Sequence, residues 1–189
     1  MTCKINADTS DGLKFVSDTS GIVEIQANGT KSNNISFTGR IVQTVNALFA
    51  DVATSTTTFA TFDAIPDNSQ GAEFMTLAIT PTHASNKLFI QIIAQMAHSS
   101  TTAAMQSGLY QDSISNALAA GRSAKNAGAN TESVFVLNHF MTAGTTSATT
   151  FKFRGGAVNS GTTTFNGRSG AVIFGAAPKS SITIQEIEV

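Results

Sequence analysis

KLFIQIIAQMAH, running from Lys87 to His98, is the stretch that decides the fold. Successive side chains of a strand point to opposite faces, so residues two apart share a face. Leu88, Ile90, Ile92, Ala94 and Met96 fall on one face. Phe89, Ile93 and Ala97 share the other with Gln91 and Gln95. An apolar pattern on both faces places this strand in the middle of a packed sheet, where neither side is fully given to solvent.

Working outward, the same period recurs. Arg40–Ala50 (RIVQTVNALFA) and Ala72–Thr80 (AEFMTLAIT) precede it, the latter closed by Pro81. Met105–Gln111, Ser133–Thr142 (SVFVLNHFMT), Thr149–Arg154 (TTFKFR), Thr162–Phe165, Ala171–Phe174 and Ser181–Val189 follow. In TTFKFR the alternation sets Phe151 and Phe153 inward and Lys152 and Arg154 outward. Polar, breaker-rich segments separate the strands: Thr54–Thr58, Pro66–Gly71, Thr142–Thr150 and Gly155–Thr164. Short strands at such spacing predict an all-β sandwich or barrel. About eight strands after residue 40 favour a jelly-roll-like β-sandwich, which limits free sheet edges; a closed lipocalin-like barrel is the alternative. Helix signals are poor, because Thr, Ser, Val, Ile, Phe and Gly dominate. Asn46–Ala53, which also reads as strand, and Ile114–Ala120 are the best helical candidates, and Ile114–Ala129 stays open between helix and loop.

Before residue 40 the pattern changes. Leu13/Phe15 and Val23/Ile25 alternate briefly and are cut by Asp-Thr-Ser-Gly, Asn-Gly and Asn-Asn. These turns supply the positive φ of tight hairpins, and such short strands cannot bury a core of their own. The reading is therefore an N-terminal β arm, residues 1–39, followed by a head domain, residues 40–189, with Asn28–Asn34 as the most marked break in composition.

Composition narrows the function classes. The chain has 189 residues, 41% of them hydrophobic, enough for one real core. Only 12% are charged, against about a quarter in an average domain, and Ser and Thr make up the difference. A net charge of −1 with scattered basic residues argues against nucleic acid as a partner. No apolar run reaches the roughly 18 residues of a membrane span. MTCKINADTS lacks the charged-then-apolar order of a secretory leader, so synthesis in a cytoplasm without export is expected. One cysteine, Cys3, excludes an intrachain disulfide.

Chemistry-bearing patterns are scarce. His83, His98 and His139 stand apart, with no metal-ligand spacing. Asp63, Asp67 and Glu73 gather around PDNSQG, but Asp63 and Asp67 flank Pro66 in a polar loop, where neither carboxyl gains the raised pKa of a glycosidase acid. Their spacing matches no calcium loop. There is no Gly-x-Ser-x-Gly elbow, and the Gly155-Gly156 pair opens no helix. With no tryptophan and one tyrosine, Tyr110, aromatic shelves for sugars are few; thirteen phenylalanines point to core packing. The expectation is no enzyme, no catalytic residues, no cofactor and no metal.

The order of features resembles bacteriophage virion structural proteins of the tail-fibre and head-fibre type. Gly12–Lys31 is similar to the short β-repeats that lead into such fibres. RIVQTVNALF, the Thr-rich strand ending at Ile65-Pro66, EFMTLAITPTHASNKLFIQ, Ala143-Gly144-Thr145 before FKFRGG, TTTFNG and ITIQEI follow in order. The resemblance implies a homotrimer in the virion, its arm docked on other capsid or tail proteins and its head able to touch a host-surface glycan. A capsid decoration (cement) protein and a free carbohydrate-binding β-sandwich are the alternatives. Apolar residues on both faces of Lys87–His98 exceed what a two-layer fold needs, and a three-fold interface would bury the surplus, unless all of it is intrachain core.

Overall fold

The computed structural model describes residues 26–27, 30–31, 39–60, 63–125 and 128–189. The chain divides into two compact units, Met1–Phe37 and Thr38–Val189. In the first, β1 (Gln26–Ala27) pairs antiparallel with β2 (Thr30–Lys31), with Ala27 opposite Thr30. The alternations at Leu13/Phe15 and Val23/Ile25, and Cys3, lie outside the described residues.

The second unit is a two-sheet sandwich. Its long strands are β3 (Ile41–Phe49), β5 (Ala72–Ile79), β6 (Lys87–His98), β7 (Ala104–Gln111), β8 (Ala119–Lys125), β9 (Glu132–Thr142), β10 (Thr149–Ala157) and β14 (Ser180–Ile187). One sheet runs β3-β14-β6-β9 and the other β5-β10-β7-β8. Thus the first long strand pairs with the last, the second with the seventh, the third with the sixth and the fourth with the fifth, all antiparallel. The chain folds back on itself at residues 112–118 and the resulting four-rung hairpin rolls up. That is the jelly-roll connectivity. The short strands β4 (Ala53–Ser55) and β11 (Thr163–Phe165) prolong the first sheet beyond β14, where β11 takes the last three residues of β6. A small hairpin, β12 (Gly167–Arg168) with β13 (Ala171–Val172), follows.

The core lies between the sheets. Leu88, Ile90, Ile92, Ala94 and Met96 of β6 are fully buried and meet Phe151, Phe153, Met105, Leu109, Ile182 and Ile184. Each large aliphatic or aromatic side chain so buried contributes about 1.5–3 kcal/mol relative to exposure. β6 sits mid-sheet, as its two apolar faces predict.

Two expectations about helices fail. Among the described residues there is no α-helix, only a 3₁₀ turn at Phe174–Ala176. Asn46–Ala53 is the end of β3, a bend at Asp51 and the start of β4. The stretch from Ile114 to Ala120 follows the turn at Asp112 and Ser113 and consists of bends at Ser115 and Leu118, a bridge between Asn116 and Asp67, and the start of β8. The threonine-rich segment read as a linker starts as strand β4 because β11 offers it a free edge. The predicted strand Ala171–Phe174 pairs only as far as Val172; Ile173 is still extended, and the backbone turns left-handed at Phe174.

Candidate interaction surfaces

The two sheets differ in what covers their outer faces. The centre of the β10–β7 face is roofed by the chain's own residues 57–60 and 66–71. Phe59, 1% exposed, donates its backbone N–H to Ala157 O at 2.8 Å, and Gly71 N–H donates to Thr58 O at 2.9 Å. The roof comes close because Gly156 lacks a side chain: a Cβ there would stand 2.8 Å from Thr57 O. Ala117 N–H reaches Pro66 O at 2.9 Å and holds the far end of the strap. Beneath it lies Tyr110, buried, its hydroxyl without a hydrogen-bond partner among the described residues. Burial pushes that hydroxyl up to about 12, against the opposing pull of the Arg154 charge.

The outer face of the β6–β9 side has no such roof among the described residues. The register sets its side chains in rows. Phe89 stands beside Phe140 and Ile93 beside Val136, with the amides of Gln91 and Asn138 between these rows. Thr183 and Asn46 continue the amide row across β14 and β3, and Ser181 and Leu48 continue the Ile93 row. Val134 (65%), Leu48 (63%), Val136 (56%), Phe140 (56%) and Ile93 (40%) are exposed.

The sandwich also has two unlike ends. The chain enters at Gly39, whose N–H donates to Glu188 O at 2.8 Å, so entry and exit adjoin. Arg40 and Glu188 form a 2.9 Å ion pair at this end. Here too lie the short connections 80–86, 112–118 and 143–148. The two longest connections, 50–71 and 158–179, leave from and return to the opposite end, where the five-residue connection 99–103 also lies; the first of them reaches back along the sheet as far as Ala117. The second of them carries Phe174, 83% exposed, with Phe174, Gly175 and Ala176 at φ 48, 61 and 64. Left-handed backbone disfavours side chains with a Cβ by about 1–2 kcal/mol per residue, so Phe174 is presented on a strained turn. Phe74 and Phe165 stack at 5.0 Å and 5°, flooring a recess also lined by Leu48, Phe49 and Ala53.

At the entry end a carboxylate that sequence reading passed over organises the structure. Glu186 is fully buried. It accepts hydrogen bonds from Gln43 Nε2 (2.6 Å), Asn86 Nδ2 (2.7 Å), Thr82 Oγ1 (2.8 Å), Thr82 N–H (2.9 Å) and His83 N–H (3.2 Å). Burial alone would raise its pKa; the donors of Gln43, Asn86 and Thr82 outweigh this and hold it at about 2. The signal was present in the sequence: Ile182, Ile184 and Glu186 share one face of the closing strand. With every donor supplied by the protein, this carboxylate pins the 80–86 crossing between the two sheets.

The residues weighed for chemistry do not converge. His83 lies in the 80–86 loop with Nδ1 3.0 Å from Ser85 Oγ. His98 closes β6, buried, and accepts from Ser100 N–H; His139 is on β9 opposite Ile90, on the inward side. Burial lowers the pKa of both. Asp67 accepts from the hydroxyl and the N–H of Ser69, which lowers its pKa, and Asp63 is exposed. Glu73 faces Lys152 at 3.8 Å and Arg154 at 3.6 Å, so the one adjacent pair of outward cations is met by a carboxylate. Among the described residues no group of three His, Cys, Asp or Glu is placed to hold a metal ion, and no helix is long and apolar enough to cross a membrane.

No family model matches the chain, and no curated protein matches it. Solved structures do. Dimeric latent PorU from Porphyromonas gingivalis matches at TM-score 0.38 and 8% identity, over 81% of this chain and 14% of that one. The Gx strain of infectious bursal disease virus matches at TM-score 0.35 and 12% identity, over 88% of this chain and 43% of that one. The VP2 subviral particle of that virus gives 0.34 and 13%, with the same coverage. This chain spans less than half of each. Likeness at these scores carries no functional weight, and the jelly-roll assignment rests on the strand order alone.

Proposed function

We propose that the chain is a structural component of a bacteriophage particle: a short homotrimeric fibre of the tail or head, displayed on the virion surface. Residues 1–39 dock it to other virion proteins, and the sandwich projects outward to touch the host surface. The observation that carries this reading is the polarity of the sandwich. Its chain entry, beside Glu188, is at one end; its two longest loops, with Phe174 presented on a strained turn, start from the other. A domain anchored by one end and probing with the other needs that division. The low charge and hydroxyl-rich composition suit a surface displayed in many copies. Three heads per fibre and several fibres per particle turn weak individual contacts into firm attachment through effective concentration.

The test is gold-labelled antibody against the purified chain, applied to intact particles and imaged by electron microscopy. Label on projecting tail or head fibres is the expected result. Label spread across the capsid lattice would replace the fibre by a decoration protein. Particles without label, with the chain left in the soluble lysate, would overturn a virion role and return the free carbohydrate-binding sandwich to first place.

A further inference from the structure

We infer that the open outer face of β9, β6, β14 and β3 is the surface by which copies of this chain pack on one another around the three-fold axis. This rests on the trimeric reading above and names the face. Three observations on the face itself select a second copy as its occupant.

The first is charge. The central rows of the face hold Phe89 and Phe140, Gln91 and Asn138, Ile93 and Val136, and no ionisable side chain. Charge enters only at the two ends of the β6–β9 ladder, as Lys87 and Glu132. Both are already engaged within the chain: Lys87 Nζ donates to Thr142 Oγ1 at 2.7 Å, and Glu132 faces Arg168 at 3.8 Å. A strongly charged partner finds no complement here.

The second is self-matching. An amide both donates and accepts, so the pair Asn138 and Gln91 is its own complement, while Asn46 at the far edge of the row already donates to Thr183 Oγ1 at 2.8 Å. The apolar rows on either side are likewise their own complement. Copies related by rotation about an axis along the strands meet at equal height, amide row to amide row and apolar row to apolar row.

The third is extent. Four strands about 4.8 Å apart along roughly 30 Å of ladder give a face of about 600 Å² in plan. Around a three-fold axis the face is shared between two neighbours, so the trimer buries about 1,800 Å² in all, about 600 Å² per contact, and the total is on the scale of one standard interface of about 1,600 Å². The opposite sheet's outer face, by contrast, is already roofed by residues 57–60 and 66–71.

The test uses the full chain in sedimentation equilibrium and native mass spectrometry at micromolar concentration. Wild type is expected at three times the 19.6 kDa chain mass. Val136→Lys and Ile93→Lys, neighbours across the ladder, are expected to weaken the trimer at least about a hundredfold and yield monomer, with the far-UV circular dichroism of a folded sandwich. Thr76→Lys, an exposed position on β5 of the other sheet, is expected to stay trimeric. Should the lysine variants unfold, Val136→Thr and Ile93→Thr, which suit a strand, give the same readout with a smaller shift. A wild-type trimer that survives all these substitutions overturns this face while leaving the trimeric fibre standing. A wild-type monomer or dimer overturns the three-fold reading itself, and a monomer would make the chain's own N-terminal arm the occupant to examine next.

Discussion

Replacing Glu186 by Gln tests how the two sheets are tied together at the entry end. The folded carboxyl sits at about 2 against an ordinary 4.5. At 1.36 kcal/mol per unit, the ionised form stabilises the fold by about 3 kcal/mol over the neutral one. Glutamine keeps the shape, loses the charge and turns an N–H group toward donors that converge from Gln43, Asn86, Thr82 and His83. The sign follows from the lowered folded pKa. The contribution is complete above the unfolded value, is lost as pH falls from about 4.5 towards 2, and is largely gone at pH 2. Thermal or urea unfolding of Glu186→Gln beside wild type is therefore expected to show a gap of about 3 kcal/mol at pH 7. For a domain of this size that is a melting temperature lower by about 6–12 °C. Other carboxylates titrate identically in both proteins, so the gap itself is the readout, and it must shrink to under about 1 kcal/mol at pH 2. A gap that stays constant down to pH 2, or none at pH 7, would refute the role assigned to this carboxylate.

Other outcomes follow from the same structure. Ile92→Ala, at a fully buried position facing the second sheet, should lower the free energy of unfolding by about 2–5 kcal/mol in urea titration. Tyr110→Phe removes a buried hydroxyl without a partner, so at pH 7 stability should be unchanged or rise by about 1 kcal/mol. The raised tyrosine pKa stabilises the fold fully below about pH 10 and loses that contribution as pH climbs to about 12; Tyr110→Phe should abolish this alkaline decline, seen by urea titration at stepped pH. Ala176→Gly relieves left-handed backbone at φ 64 and should raise stability by about 1 kcal/mol in thermal melts, whereas Ala176→Val should lower it.

Much of the fold was legible because period-two alternation survives single-sequence reading wherever the inward residues are large. Lys87–His98 was read residue for residue, and Phe151 and Phe153 were placed inward, where they are fully buried. Strand β8, Ala-Ala-Gly-Arg-Ser-Ala-Lys, was missed for the converse reason: its inward residues Ala119, Gly121 and Ser123 are all small, and at Gly121 a Cβ would stand 3.0 Å from Leu137 of β9. A strand whose facing neighbour fills its space needs no large residue and sends no apolar signal. Phe174 was read as strand because φ is not written in side-chain chemistry. Glu186 was readable as an inward acid, but its partners Gln43, Thr82 and Asn86 lie about a hundred or more positions away and converge only when the sheet forms.

Local alternation and turn residues determined that this chain makes strands and which strand is central. They act over two to four residues, and the sequence displays them directly. Which strands pair, which sheet is roofed by residues 57–60 and 66–71, and which face has no roof among the described residues were decided by tertiary structure. Those outcomes depend on close approaches between distant segments, such as Gly156 admitting Thr57 and Phe59, and such fits exist only once the two sheets are stacked.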